Sequence, residues 1–173
     1  MSLIASKIDT ILKSKDLTRY KLSKMTGCNE SALNQMARGE ISFSDKFKEK
    51  ILPVLEISRE EFESWILADK YPKEVLELAI QAKKESKNAD KLILTAKIDE
   101  ILQNRNLSRT QLSKLAKYDQ SSVNKMLTGK GSVSKTVLTK LSTVLEIPEN
   151  EIKSWILADK YSKDILESAV NLL

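Results

Sequence analysis

The sequence predicts an all-α protein built from two tandem copies of one helical domain, about six helices in each. Three observations carry that expectation. Apolar residues recur at three- and four-residue spacing, as in Ile4, Ile8, Ile11 and Leu12, the period of a helix with one buried face. Four glycines and three prolines in 173 residues are too few for the closely spaced turns of a sheet. Finally, Lys7–Lys83 aligns onto Lys97–Leu173 at an offset of 90 without a gap, with roughly two positions in five identical. Duplication therefore sets the architecture.

Taken in order, the first helix covers about Leu3–Ser14. The second begins after Thr18, a good N-cap, and carries Leu22 and Met25. Gly27 supplies the left-handed conformation that turns a chain sharply. The third helix starts near Asn29 and ends at Gly39. The fourth runs from Ser44 to about Glu56, with Pro53 expected to bend or shorten its last turn. The fifth contains the octamer SWILADKY (Ser64–Tyr71), repeated verbatim at Ser154–Tyr161. The sixth starts at Pro72, a favoured first-turn residue. In the second copy Ser108, Asp119, Ser134 and Ser162 lie near helix starts. Domains are expected at 1–83 and 91–173, joined through 84–90. That connection lies in the polar stretch KKESKNADK (Lys83–Lys91), which reads equally well as linker or as continued helix.

Composition closes off several chemistries. The chain has no histidine and one cysteine, Cys28, so a His-based triad, a thiol–imidazole pair and the usual tetrahedral zinc site are not available within it. The carboxylates are scattered over what read as exposed helix faces, so no enzyme, metal or cofactor is expected. No apolar run approaches the roughly 18–20 residues of a membrane span. At the N-terminus, lysines interleaved with apolar residues lack the block layout of a signal peptide. A reduced cytoplasm is the expected home.

The segment LTRYKLSKMTGCNESALNQMARGE (Leu17–Glu40) reads as a short helix, a glycine turn, a second short helix and a glycine stop. Leu33, Met36 and Ala37 form the inward face of that second helix, which leaves Glu30, Ser31, Asn34, Gln35 and Arg38 outward. In the second copy Val123, Met126 and Leu127 point inward, leaving Gln120, Ser121, Asn124 and Lys125 outward. Such hydrogen-bonding side chains suit base edges and phosphates in a major groove. The pattern resembles the helix-turn-helix of the phage lambda-repressor/Cro-like family, also called the xenobiotic-response-element family. The five-helix domain of that family corresponds to roughly Leu3–Ala68 and Ile93–Ala158.

The resemblance implies double-stranded DNA as partner and assigns roles by position. Thr18 and Arg19, with Ser108 and Arg109, sit where the family anchors its second helix on phosphate. Asn29, Glu30, Ser31, Asn34 and Gln35 occupy recognition-helix positions, as do Asp119, Gln120, Ser121, Ser122, Asn124 and Lys125. Ser42 and Ser44, with Ser132 and Ser134, precede the fourth helix, where free backbone N–H groups can receive a phosphate. Two departures stand out. Arg19 and Arg109 replace the family's common glutamine, shifting that contact toward plain electrostatics. Lys117 replaces the turn glycine, so the second turn either differs in shape or carries conformational cost, with a phosphate contact as a compensating role for the lysine.

Charge is divided along the chain. Leu17–Leu55 holds seven Lys/Arg against four Asp/Glu, and Leu107–Leu145 seven against one. Glu56–Lys83 holds four against seven, and Glu146–Leu173 three against six. The net charge of +5 thus averages basic helix-turn-helix halves and acidic remainders, a polarity that orients a protein on DNA.

These readings converge on a transcriptional regulator of bacterial, phage or mobile-element origin, a repressor that reads an imperfect pair of half-sites with two linked units. The alternative is an antitoxin or similar inhibitory module, whose main target is a protein partner. Trp65, Ile66 and Leu67, with Trp155, Ile156 and Leu157, wrap more than one side of the fifth helix. They are expected either between the bundle and the sixth helix, or at a contact that pairs units within one chain or between two chains of a homodimer.

Overall fold

Helices begin where the chain offers a small polar side chain to a free N–H. Ser2, Thr18, Asn29, Ser44 and Ser58 each accept from the backbone N–H three residues on, satisfying donors that have no partner inside the helix. A computed structural model describes residues 2–86, 91–131 and 133–173; Ser132 and residues 87–90 of the expected connection lie outside them. Among the described residues there are twelve α-helices and no strand. These are α1 (Leu3–Ser14), α2 (Arg19–Thr26), α3 (Glu30–Ala37), α4 (Asp45–Leu55), α5 (Arg59–Lys70) and α6 (Lys73–Glu85). The same series then recurs as α7 (Ile93–Asn104), α8 (Arg109–Leu115), α9 (Gln120–Leu127), α10 (Lys135–Leu145), α11 (Glu149–Lys160) and α12 (Lys163–Val170). None of the described helices is long and apolar enough to cross a membrane.

Packing divides the chain at Pro72–Lys73 and at Glu167–Ser168. One compact unit is the chain up to Pro72 together with Ser168–Leu173; the other is Lys73–Glu167. The sequence duplication and the compact units therefore do not share boundaries. The second unit begins with α6, the last helix of the first repeat, and α6 packs against α11.

In the first unit Ile4, Ile8 and Leu12 of α1 meet Leu22, Leu33, Met36, Ile51, Leu55 and Phe62 in one apolar cluster. Phe43 stacks edge-on to Phe62 at 4.9 Å, and Phe62 lies 5.9 Å from Trp65. Leu172 packs against this cluster. In the second unit Ile98, Leu112, Leu127, Leu141, Leu145 and Ile152 are buried. There Val133, Val137 and Ile152 stand where the first copy has phenylalanines. Met25 is 61% exposed, because α2 turns Leu22 and Ser23 inward and Met25 lies outside that stripe. Pro53 does not shorten its helix: α4 and α10 end at the matched residues Leu55 and Leu145, although α10 has Thr143 in place of proline.

The octamer does two structural jobs. Trp65, Leu67, Trp155 and Leu157 are buried, while Ile66 and Ile156 are half-buried. Its aspartate caps the first helix of each copy. Asp69 accepts from the Leu3 N–H at 2.5 Å and the Ser2 hydroxyl at 2.9 Å. Asp159 accepts from the Ile93 and Leu94 N–H groups at 2.7 and 3.0 Å. Helix α7 has no side-chain cap from Leu92, so Asp159 carries alone a role that Ser2 shares with Asp69 in α1. Asp159→Ala is expected to cost about 1–2 kcal/mol, and Asp69→Ala less, in denaturant unfolding of the full chain.

Left-handed residues fall at matched places in both copies: Asp16 and Asn106, Gly27 and Lys117, Gly39 and Gly129, Glu56 and Glu146. Lys117 at φ 50° adopts the geometry of Gly27 at φ 62°, so the second turn keeps the shape of the first. In both, the residue after it reaches back across the helix end, from the Cys28 N–H to Ser23 at 3.0 Å and from the Tyr118 N–H to Ser113 at 2.9 Å. A Cβ added at Gly27 would meet nothing within 4 Å, so Gly27→Ala is expected to cost about 1 kcal/mol through backbone strain alone. Lys117→Gly should stabilise by roughly 0.5 kcal/mol, since relief of about 1–2 kcal/mol is offset by the added freedom of the unfolded chain. Urea titrations of both variants check this pair.

Candidate nucleic-acid interface

An eight-residue helix exposes one side only if the other is held, and α3 is held by Leu33, Met36 and Ala37, all buried. That burial leaves Glu30, Ser31 and Arg38 exposed and Asn34 and Gln35 half-exposed. In α9 the buried residues are Val123, Met126 and Leu127. Gln120, Ser121, Ser122 and Lys125 are exposed there, with Asn124 half-exposed. These inward and outward sets are the ones that the helical period predicts.

Local bonds set the entry to each helix. Asn29 Oδ1 accepts from the Ala32 N–H at 3.2 Å. Asp119 accepts from the Ser122 N–H at 2.8 Å and its hydroxyl at 3.1 Å, and those bonds hold the Asp119 carboxyl below its ordinary range. Gln120 donates to the Thr110 hydroxyl at 3.0 Å, tying α9 to α8. Arg38 pairs with Glu40 at 2.7 Å. Thr18, Ser44, Ser108 and Ser134 have their oxygens engaged as caps on Lys21, Phe47, Gln111 and Val137. Ser42 and Lys117 are exposed.

The two arginines are not free cations. Arg19 donates from Nε and Nη2 to both Asp9 oxygens at 2.7 Å, and from Nη1 to Asn34 Oδ1 at 3.0 Å. Arg109 grips Asp99 in the same two-pronged way at 2.8 and 2.7 Å. Lys91 also donates to Asp99, at 2.5 Å. Each pair ties the first helix of its copy to the start of the second. Asp9 and Asp99 were not among the residues that the sequence reading singled out. The signal was present, because an identical aspartate lies ten residues before an identical arginine in both copies.

Residues 98–152 match a helix-turn-helix family model. This span opens in α7, contains α8, its turn, α9 and α10, and closes in α11. No curated protein and no solved structure gives a match. The matched helix-turn-helix segment supports a DNA-binding, regulatory role. Leu107–Leu145 carries Arg109, Lys114, Lys117, Lys125, Lys130, Lys135 and Lys140, with Asp119 the one acidic residue of that stretch.

The Asp99–Arg109 pair has a consequence for acid stability. Hydrogen bonding from Arg109, and then from Lys91, holds the Asp99 carboxyl below the ordinary aspartate value. A depressed carboxylate contributes its stability in full above about pH 3.9 and loses it as pH falls through the lower folded value. Below about pH 4 the wild type should therefore lose stability more steeply than Asp99→Asn, measured by thermal melting across pH 2–6.

Proposed function

We propose that this chain is a sequence-specific double-stranded-DNA-binding repressor of transcription that uses both copies of its helix-turn-helix on one operator. The observation that carries the reading is the arrangement of α9 inside the matched segment: three apolar residues buried, and Gln120, Ser121, Asn124 and Lys125 turned to solvent on a strongly basic stretch. Side chains of these types hydrogen-bond base edges, while the surrounding lysines interact with phosphate irrespective of sequence. The first copy supports the same reading through the equivalent face of α3, where Ser31 and Asn34 match Ser121 and Asn124.

The two faces are not identical. Glu30, Gln35 and Arg38 stand against Gln120, Lys125 and Thr128, so the copies read related but different half-sites. The second copy, with fewer carboxylates in its helix-turn-helix half, supplies more of the sequence-independent affinity. Occupying such an operator within a promoter represses by occlusion.

Footprinting on DNA upstream of its own gene, followed by selection of sites from random DNA, tests the proposal. Selected sites should be imperfect pairs of half-sites; recovery of perfect palindromes counts against the two-reader arrangement. Asn34→Ala and Asn124→Ala should each weaken binding to the selected site by roughly 1–3 kcal/mol and leave non-specific binding little changed. Normal affinity in both variants would mean that α3 and α9 are not the reading helices.

A further inference from the structure

Asn34 and Asn124 are the same residue at the same place in the two copies, yet their surroundings differ in one respect. The Arg19 guanidinium is anchored on Asp9 through Nε and Nη2, and its remaining arm, Nη1, donates to Asn34 Oδ1 at 3.0 Å. Arg109 is anchored on Asp99 in the same manner, but among the described residues no hydrogen bond joins it to Asn124. A guanidinium carries donors and no acceptor. The asparagine face turned toward Arg19 must therefore be the carbonyl oxygen, because an amide NH2 there would set donor against donor. That leaves the two protons of the Asn34 Nδ2 pointing away from Arg19.

We infer that Arg19 is a specificity-positioning residue that fixes Asn34 as a hydrogen-bond donor, so that the two matched asparagines read different base edges; the inference rests on the DNA-binding function proposed above. An asparagine free on both sides pairs with adenine by donating to N7 and accepting from N6. Asn124 retains that option. Asn34 has its carbonyl turned to Arg19, with one of that oxygen's two lone pairs engaged there, and its NH2 turned outward. This favours an edge that presents acceptors, best met by the O6 and N7 atoms of guanine. The Asp9 carboxylate is what makes this selection reliable. It takes the Nε–Nη2 edge of the guanidinium and so fixes the direction of Nη1, whereas an unanchored arginine would swing toward the nearest phosphate.

Site selection from random DNA with four full-length variants tests the inference, each variant checked for its melting transition. Asn34→Ala and Asn124→Ala mark which operator position each asparagine reads. Wild-type sites should carry guanine at the Asn34 position and adenine at the Asn124 position. Arg19→Met removes the donor while keeping the length of the side chain, and should lower the guanine-over-adenine preference at the Asn34 position by about fivefold or more. Arg109→Met breaks the equivalent ion pair and should leave the Asn124 preference as it is. Should Arg19→Met fold poorly, Asn34→Asp provides the second test. It keeps an acceptor for Arg19 and removes the outward donor, so guanine enrichment should disappear. Enriched sites whose base preference is unchanged in Arg19→Met, or in Asn34→Asp, overturn the role of Arg19 and leave the DNA-binding reading intact. A wild type that enriches no sequence overturns that reading and this inference with it.

Discussion

The helices that present the polar side chains, α3 and α9, have eight residues each, well short of the ~12–15 residues at which even a good helix former becomes marginally stable alone in water. They exist because one stripe of each is buried. Burying a side chain such as Leu33 or Met126 is worth about 1.5–3 kcal/mol, whereas an exposed position contributes tenths through propensity. The inward residues are therefore constrained by the bundle, and the outward ones are constrained only by what they meet. That asymmetry permits Glu30, Gln35 and Arg38 to become Gln120, Lys125 and Thr128 without cost to the fold.

Burial alone leaves a short helix free to slide or rotate, and fixed polar contacts prevent this. The left-handed residue between α2 and α3, and its counterpart between α8 and α9, sets the angle at which one helix leaves the other. The Asp9–Arg19 and Asp99–Arg109 pairs tie the first helix to the second. The aspartates of the repeated octamer cap the first helix from the fifth. Each of these ion pairs lies at least partly in solvent, where an isolated pair is worth little. Their importance lies in direction: a two-pronged arginine–carboxylate contact permits one geometry, and the residues that make these contacts are identical in the two copies.

Much of this was legible in the chain. The helical period yielded twelve helices and the buried faces of α3 and α9 residue by residue, because a two-sided pattern has one solution when the core is apolar. The caps at Thr18, Asn29, Ser108 and Asp119 were legible for a similar reason, since few residue types can serve there. Contacts distant in sequence were not. Nothing local marks Asp69 as the acceptor for Leu3, or sets α6 against α11 instead of within its own repeat. Periodicity reports which face of a helix is buried and is silent about what buries it. Arg19 was read only as a phosphate contact, because its partner Asp9 lies in another helix.

The two copies also show how far an interior can change beneath a constant backbone. In the first, Lys48 and Glu63 form a buried pair, Nζ to Oε1 at 2.5 Å, beside the phenylalanine cluster. In the second, the matched residues are Leu138, which is buried, and Lys153, which pairs with Glu149 at 3.5 Å. Replacing a buried ion pair with apolar packing is often neutral or stabilising, whereas losing one partner leaves an uncompensated charge at a cost of about 3–5 kcal/mol. Positions 48 and 63 are therefore coupled and change safely only together, as their counterparts at 138 and 153 differ together. Ser2 and Asp69 are not coupled in this way, since Leu92 replaces the serine while Asp159 keeps its capping role. Among the outward side chains of α3 and α9, Arg38 bonds Glu40, Gln120 bonds Thr110 and Asn34 bonds Arg19. The bond from Arg19 to Asn34 joins the Asp9–Arg19 scaffold contact to the outward face of α3, so in the proposed DNA-binding role a change in the scaffold would alter what the helix recognises.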